Sequence, residues 1–483
     1  MKFTKCIVVV LMIIAVVCSN CNKLVDVGSP TTSLTSENIY TNDASAASVL
    51  TGIYTSLSKT SLLWAETLNS ISLVAGLGAD ELTLFGAAAN ANTKLVQYYQ
   101  NRLVAGPSTV SEATMWKSLY ANLYIVNLAI ERLTASTSLT PAVKQQLTGE
   151  AKFLRALFYF YLVNLYGDVP LTTVSNYQKN AVLSRTAKSV VYQQIINDLK
   201  DAEELLAENY VGADAKSLST ERVRPNKWAA AALLARVYLY TGDWANAASK
   251  ATALINNKAT YDTVSLGDVF VKNSKESIWQ LQPVNIGWNT EDARAFILPA
   301  SGPTSNSSVS GYPVYISNQL LNAFEPADKR KTNWMNSVVV NGTTYYYPYK
   351  YKSAVINTPL TEYGTVLRLS EQYLIRAEAR AQQDDISGAT ADLLVVRTRA
   401  GLGNTTANDK AGLLVAILKE RQVELFTEWA HRWLDLKRTN NIDAVMTVVA
   451  PLKGTTWNAD LQWYPIPLYD ITQNPALGQN NGY

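Results

Sequence analysis

Glu150 to Pro170, EAKFLRALFYFYLVNLYGDVP, is the stretch that decides the fold. Glu150, Lys152 and Arg155 crowd its first turn and a half. From Ala156 to Tyr166 only Asn164 and the tips of three tyrosines are polar. An apolar surface running nearly all round a helix means burial on all sides. The apolar run is about 11 residues, too short for a bilayer, which needs ~20. It therefore predicts the central helix of an all-helical core, ended by Gly167 and Pro170.

The neighbours supply its partners. In Trp116 to Leu133 a stripe of Trp116, Leu119, Leu123, Val126, Ile130 and Leu133 repeats at helical spacing. Ala46 onwards (Val49, Ile53, Leu57) and Val190 to Ala207 show the same period. Lys227 to Asn256 predicts two short helices joined at Thr241-Gly242-Asp243. That unit resembles a tetratricopeptide repeat, and Leu369 to Leu402 is a second copy, with its turn at Asp384-Asp385 and Ala389 matching Ala247. Trp116–Leu165 and Val190–Trp228 are candidates for degenerate copies. Such units bury a face only by stacking. The expected fold class is mostly α, a tetratricopeptide-like helical scaffold with a packed, loop-rich part holding a few short strands.

The rest of the chain divides around this scaffold. Residues 1–20 combine a basic start, MKFTK, with a short apolar run, which is the pattern of a secretory signal. All 3 cysteines fall within the first 21 residues. The site before Cys21 resembles a bacterial lipoprotein box, with Cys21 as the lipidated first residue of the mature chain; bulky Val17 makes Cys18 the weaker candidate. Cleavage there leaves no possible internal disulfide. It also removes Lys2 and Lys5, lowering the formal charge from +3 to +1, a balance that argues against nucleic acid as a partner. Residues 21–45 read as a tether, 46–257 as the N-terminal helical region and 258–368 as an irregular insertion. In the insertion SIWQLQ is strand-like, and Asn341-Gly342 marks a hairpin. Residues 369–483 form the C-terminal region, closed by a Pro- and Asn-rich cap, and 46–483 are expected to be one compact unit. The Asp80–Asn92 segment, DELTLFGAAANAN, is expected to be an irregular surface excursion.

Catalytic chemistry finds little support. The one histidine, His431, excludes a histidine-based zinc site and leaves a Ser-His-Asp triad improbable. No phosphate-binding glycine loop, dinucleotide fingerprint or nucleophile elbow is present. No cofactor or metal is expected. The richest charged run is Lys419 to Arg438, KERQVELFTEWAHRWLDLKR. Glu424 and Glu428 lie one helical turn apart and face the same way, so they cannot flank a scissile bond as a glycosidase pair does. The plainer reading is an ion-pair network that fixes helix packing.

At this point seven segments resemble, in order, the SusD/RagB family of surface lipoproteins from Bacteroidetes. They are CNKLVDVGSP, MWKSLYANLYIVNLAI, GEAKFLRALFYFYLVNLYGDVPL, RPNKWAAAALLARVYLYTGDWANAASKATALI, LRLSEQYLIRAEARA with VRTRAGL, ILKERQVELFTEWAHRWLDLKR and WYPIPLYDITQNPALGQNNGY. The resemblance implies a non-enzymatic protein, lipid-anchored and surface-exposed at the outer membrane. It would cap a SusC-like TonB-dependent transporter and hand over a bound oligosaccharide, or alternatively a peptide.

Family motifs carry over no binding residues, so the ligand site must be chosen on physical grounds. Sugars offer apolar C–H faces to aromatic rings and hydroxyls to amides and carboxylates. Loop aromatics off the helical stripes are therefore the candidates. Trp64, Tyr98 and Tyr99 flank the excursion that begins at Asp80, which is a candidate either to cap a helix or to accept hydrogen bonds from a polar ligand. Trp288, Tyr312, Trp334 and Tyr345 to Tyr347 lie in the insertion. At least two of Trp64, Trp288 and Trp334 are expected to line one exposed groove. Trp116, Trp228, Trp244, Trp279, Trp429 and Trp433 are assigned to the core.

Overall fold

The computed structural model describes residues 39–59, 62, 67–87, 93–106, 114–305 and 312–483. The leader 1–20, Cys21, most of the tether and Trp64 lie outside the described residues. The principal helices are α1 (Asp43–Lys59), α2 (Ile71–Gly78), α3 (Thr93–Tyr99), α4 (Met115–Ala135), α5 (Pro141–Tyr166), α6 (Lys188–Leu205), α7 (Lys227–Thr241), α8 (Trp244–Asn256), α9 (Leu369–Gln382), α10 (Ile386–Arg399), α11 (Lys410–Glu424), α12 (His431–Arg438) and α13 (Ile442–Leu452). The strands are β1 (Leu82–Leu84), β2 (Ser277–Leu281), β3 (Val314–Ile316), β4 (Met335–Val340), β5 (Thr343–Pro348) and β6 (Gly364–Arg368).

The opening stretch is the second half of α5. Pro141 starts this helix at a position where its missing N–H costs nothing. Every residue from Phe153 to Tyr166 is buried. The one strong charge in that run, Arg155, is held by two hydrogen bonds from its guanidinium to Asp198, 2.8 and 2.6 Å long. Gly167 follows with φ +77° and ψ −130°, a conformation that a Cβ would oppose. The carbonyls left open at this helix end find donors in the C-terminal cap. Tyr464 N–H reaches Leu165 O at 2.9 Å, and Asn480 Nδ2 reaches Tyr166 O at 2.9 Å. The Asn-rich tail is thus a lid on the central helix.

From α4 to α10 each helix packs against the next, and α11 closes on α9 and α10. The two repeat units match in detail. Gly242 turns with φ +74°, and Asp384 takes the equivalent left-handed place with φ +63°, which Asp tolerates better than most residues. Asp243 and Asp385 then cap α8 and α10 by accepting the N–H of Asn246 and Gly388. Ala247 and Ala389 are both fully buried. Of the two degenerate candidates, Trp116–Leu165 is the α4–α5 pair. Val190–Trp228 departs from expectation: it holds one helix, α6, and an irregular connection to α7.

One further expectation is corrected. The segment after Asp80 is not an irregular excursion at its start. Leu82-Thr83-Leu84 alternates as a strand does, and β1 pairs antiparallel with β3, burying Leu82 and Leu84. The insertion packs on the helices, as expected, and its strands enter the core. All five residues of β2 are buried in its pairing with β6, and Trp279 meets Phe153 of α5 edge-to-face at 5.1 Å. The β4–β5 hairpin turns at Asn341-Gly342, where both residues have positive φ, as a two-residue hairpin turn requires. Trp116, Trp279, Trp429 and Trp433 are buried, whereas Trp228 and Trp244 pack half-buried against the core. Trp429 is not helical: it lies in the turn between α11 and α12, with φ +44°.

Candidate functional site

The charged run from Lys419 to Arg438 forms a dry network. Glu424 lies 2.6 Å from Arg368 and 2.9 Å from Arg330, and it also pairs with Arg399. Glu428 pairs with Arg368 and Lys350. Burial alone would raise the Glu424 carboxyl, but Arg399, Arg368 and Arg330 hold it well below the usual carboxylate range. His431 is buried, and that burial, with Arg236 and Arg421 beside it, keeps its imidazole neutral. Neither group faces solvent, so neither can serve a substrate as acid or base. Among the described residues no group of His, Cys, Asp and Glu is placed to hold a metal ion.

The strand alternation that buries Leu82 and Leu84 turns Thr83 outward, opposite Tyr315 in the register. Tyr99, at the end of α3, completes a wall. The Thr83 hydroxyl stands beside both the Tyr99 and Tyr315 phenols. Burial pushes Tyr99 up to about 12 and raises Tyr315, so both phenols stay protonated. Asn318 and Gln319 at the start of a short helix add amides, and Val449 and Leu452 from α13 add an aliphatic edge. Together they line a cleft of about 280 Å³. The aromatic surface continues from Tyr315 to Tyr345, 5.2 Å away edge-to-face, and on to Phe85 at 5.8 Å. These three rings are half-buried, each keeping part of its surface open.

The floor of the cleft is rigid. Lys453 donates from Nζ to the carbonyls of Leu77 at 2.6 Å, Gly78 at 3.0 Å and Ala79, the open end of α2. Its ammonium sits 5.2 Å from the Tyr99 ring centre. Burial lowers this lysine to about 7. Asp80 receives Arg432 through bonds of 2.8 and 2.7 Å, and Gln422 at 3.2 Å. Ser317 ties the two strands' flanks together, its N–H on Glu81 O at 3.0 Å and its hydroxyl on Asp80 O.

Sequence-predicted residues divide around this cleft. Asp80 lies in its floor, but its carboxylate is engaged by Arg432, so it is a framework residue and not a free acceptor. Tyr98 turns to the opposite side of α3, packing at 5.5 Å on Tyr464 beside a separate cleft of about 330 Å³. Trp334 is fully buried: its indole N–H donates to Leu266 O at 2.9 Å, and its ring meets Phe270. A groove lined by two of the three tryptophans is therefore not found among the described residues. Trp288 is half-exposed, with the Arg294 guanidinium 4.2 Å over its ring, and does not line the cleft. Tyr312 stands directly before Pro313 and β3, half-buried; its carbonyl accepts the Thr304 N–H, and its own N–H donates to the Thr304 hydroxyl. Thr83 and Tyr315 were missed. The short alternations LTL and VYI were their signal, since each sends its middle residue outward.

A helical-repeat scaffold carries an open aromatic cleft, and the acids Glu424 and Glu428 of the Lys419–Arg438 run are locked in ion pairs. Comparison with known proteins gives the class. Residues 78–239 match the family described as starch-binding and associating with the outer membrane, and residues 322–483 match the SusD family. A SusD-like protein of Formosa agariphila is 26% identical, with 100% of both chains covered. A SusD superfamily protein from Bacteroides vulgatus superposes with a TM-score of 0.76 at 18% identity, covering 91% of this chain and 99% of that one. A laminarin-binding SusD-like protein superposes with a TM-score of 0.74 at 24% identity, covering 92% and 100%. The chain belongs to the SusD/RagB family. No described helix is long and apolar enough to cross a membrane.

Proposed function

We propose that this protein is a cell-surface glycan-binding lipoprotein. It is anchored through Cys21 to the outer membrane, captures oligosaccharide in the Tyr99–Thr83–Tyr315 cleft and delivers it to a SusC-like TonB-dependent transporter. The observation that carries the reading is the wall itself. The half-buried Tyr315 ring keeps part of a flat apolar face open beside the Thr83 hydroxyl, with the buried Tyr99 phenol behind it, and Asn318 and Gln319 stand next to them. That pairing of stacking surface with hydroxyl partners is what a sugar ring requires. A laminarin-binding relative on the same fold supports the class of ligand. Tyr312 and Tyr345, close to the same wall, are proposed to extend the contact surface. One main core drawing on residues from Tyr40 to Leu477 supports residues 46–483 acting as a single unit.

The test is a binding panel of plant, algal and microbial polysaccharides and of peptides, using the mature protein with Tyr99→Ala and Tyr315→Ala. Glycan binding weakened in both variants is expected. Binding of peptides alone, or glycan binding that both variants retain in full, would overturn the assignment. Membrane attachment is checked separately with Cys21→Ala, which should release the protein from the cell surface.

A further inference from the structure

Two charged side chains line the cleft, Asp80 and Lys453, and neither points its charge at a ligand. Arg432 takes both carboxylate oxygens of Asp80. The Lys453 ammonium is turned onto three backbone carbonyls at the end of α2. The remaining lining is hydroxyl, amide, aromatic and aliphatic.

We infer that the cleft selects uncharged glycans and rejects uronate- or sulfate-bearing ones, an inference that rests on the cleft being the glycan site. The physical reason is desolvation. A carboxylate or sulfate entering the cleft would give up water and meet no free cation among the described residues that line it, and an uncompensated charge near low-dielectric walls is strongly disfavoured. Lys453 cannot turn to it without uncapping α2. A neutral sugar meets no such opposition, because each hydroxyl that loses water finds a phenol, hydroxyl or amide. A cationic glycan is excluded on the same ground, since Asp80 is closed by Arg432.

The experiment is titration calorimetry of the mature protein with neutral glycans (laminarin, starch, xyloglucan) and anionic ones (alginate, polygalacturonate, a sulfated galactan). Each is run at 50 and 500 mM NaCl, because screening weakens contacts between exposed charges and leaves neutral contacts alone. The expected result is binding to at least one neutral glycan, changed less than about twofold by salt, and at least tenfold weaker binding to every anionic one. Tyr315→Ala should weaken the neutral binding at least tenfold. Gln319→Lys, placing a free ammonium at the rim, should create salt-sensitive binding of an anionic glycan. An anionic glycan that the wild type binds as tightly as any neutral one, with Tyr315→Ala abolishing it, overturns this inference and leaves the cleft assignment standing. Binding unchanged in Tyr315→Ala and Tyr99→Ala overturns the cleft assignment, and the inference falls with it, as both do if no glycan of either class binds.

Discussion

Asp80 and Arg432 stand 352 positions apart in the chain and meet through two hydrogen bonds of 2.8 and 2.7 Å. Both side chains are nearly dry. The pair joins the turn between α2 and β1 to the first turn of α12, and it thereby fixes where Thr83 emerges in the cleft. The carboxylate nearest the aromatic wall belongs to the frame that holds the wall.

Removing either partner should therefore cost more than an exposed ion pair does. Asp80→Ala leaves the Arg432 guanidinium buried without its main acceptor, a change that typically costs about 3–5 kcal/mol. Urea unfolding of the mature protein at pH 7 measures it. Arg432→Ala should cost a similar amount, and the double variant less than the two together, since the partners are in contact. A loss below about 1 kcal/mol, the range of exposed pairs, would mean that water reaches the pair.

Trp334 and Tyr315 should separate stability from binding. Trp334→Ala empties a fully buried site, and such truncations cost about 3–5 kcal/mol. It touches no cleft residue, so glycan affinity of the folded protein should stay within about twofold. Tyr315→Ala should do the reverse, lowering affinity at least tenfold, about 1.4 kcal/mol, with a small effect on unfolding. Calorimetric titration and denaturant curves on the same two preparations check both halves. Affinity lost in Trp334→Ala at full folding would move the site towards β4.

How much of this was legible follows the range of each interaction. The α5 helix, the Asp384-Asp385 turn and the Asn341-Gly342 hairpin were readable because each is decided within a few residues, by period or by a turn's backbone requirement. Trp334 was misjudged for the converse reason. It follows a short helix in a polar-looking insertion, and its burial comes from Leu266, Phe270 and Lys350, distant in sequence or separated from it by a hairpin. Asp80 looked like a free loop acid because its partner lies on α12. The cleft itself arises where β1 meets β3, and no local pattern announces that Thr83 will face Tyr315. Only the outward alternation of each strand was visible in advance.

The Lys419–Arg438 run carries an acid-side prediction. Glu424 is held well below its ordinary value by Arg399, Arg368 and Arg330 against the opposing effect of burial. A depressed carboxylate contributes stability that is present above its unfolded pKa and lost as pH falls through the folded one. Glu424→Gln should accordingly be markedly less stable than wild type at pH 7, with the gap narrowing on acidification below pH 4. Unfolding midpoints across pH 3 to 7 test the trend, and a constant gap would contradict it. Neither form should cleave any glycan it binds.

Glu81 makes the opposite prediction. It is 2 % exposed, its Oε1 has no hydrogen-bond partner among the described residues, and the Thr427 N–H is one donor its carboxyl does have. Burial, with the Asp80 charge beside it, pushes this carboxyl up to about 8. The folded protein therefore keeps a proton on Glu81 between pH 4.5 and 8 that the unfolded chain releases. Stability from this group is fully present below pH 4.5 and is lost as pH rises to about 8, at a slope of about 1.4 kcal/mol per pH unit. Glu81→Gln has no proton to lose, and its amide oxygen can still accept from Thr427. The variant should match or trail wild type at pH 5 and surpass it progressively towards pH 8.5, by a margin on the order of a few kcal/mol. Chemical unfolding at pH 5, 6, 7, 8 and 8.5 gives the two curves. If they run parallel across that range, Glu81 is ionised in the folded protein, and water or a rearranged Arg432 must be reaching it.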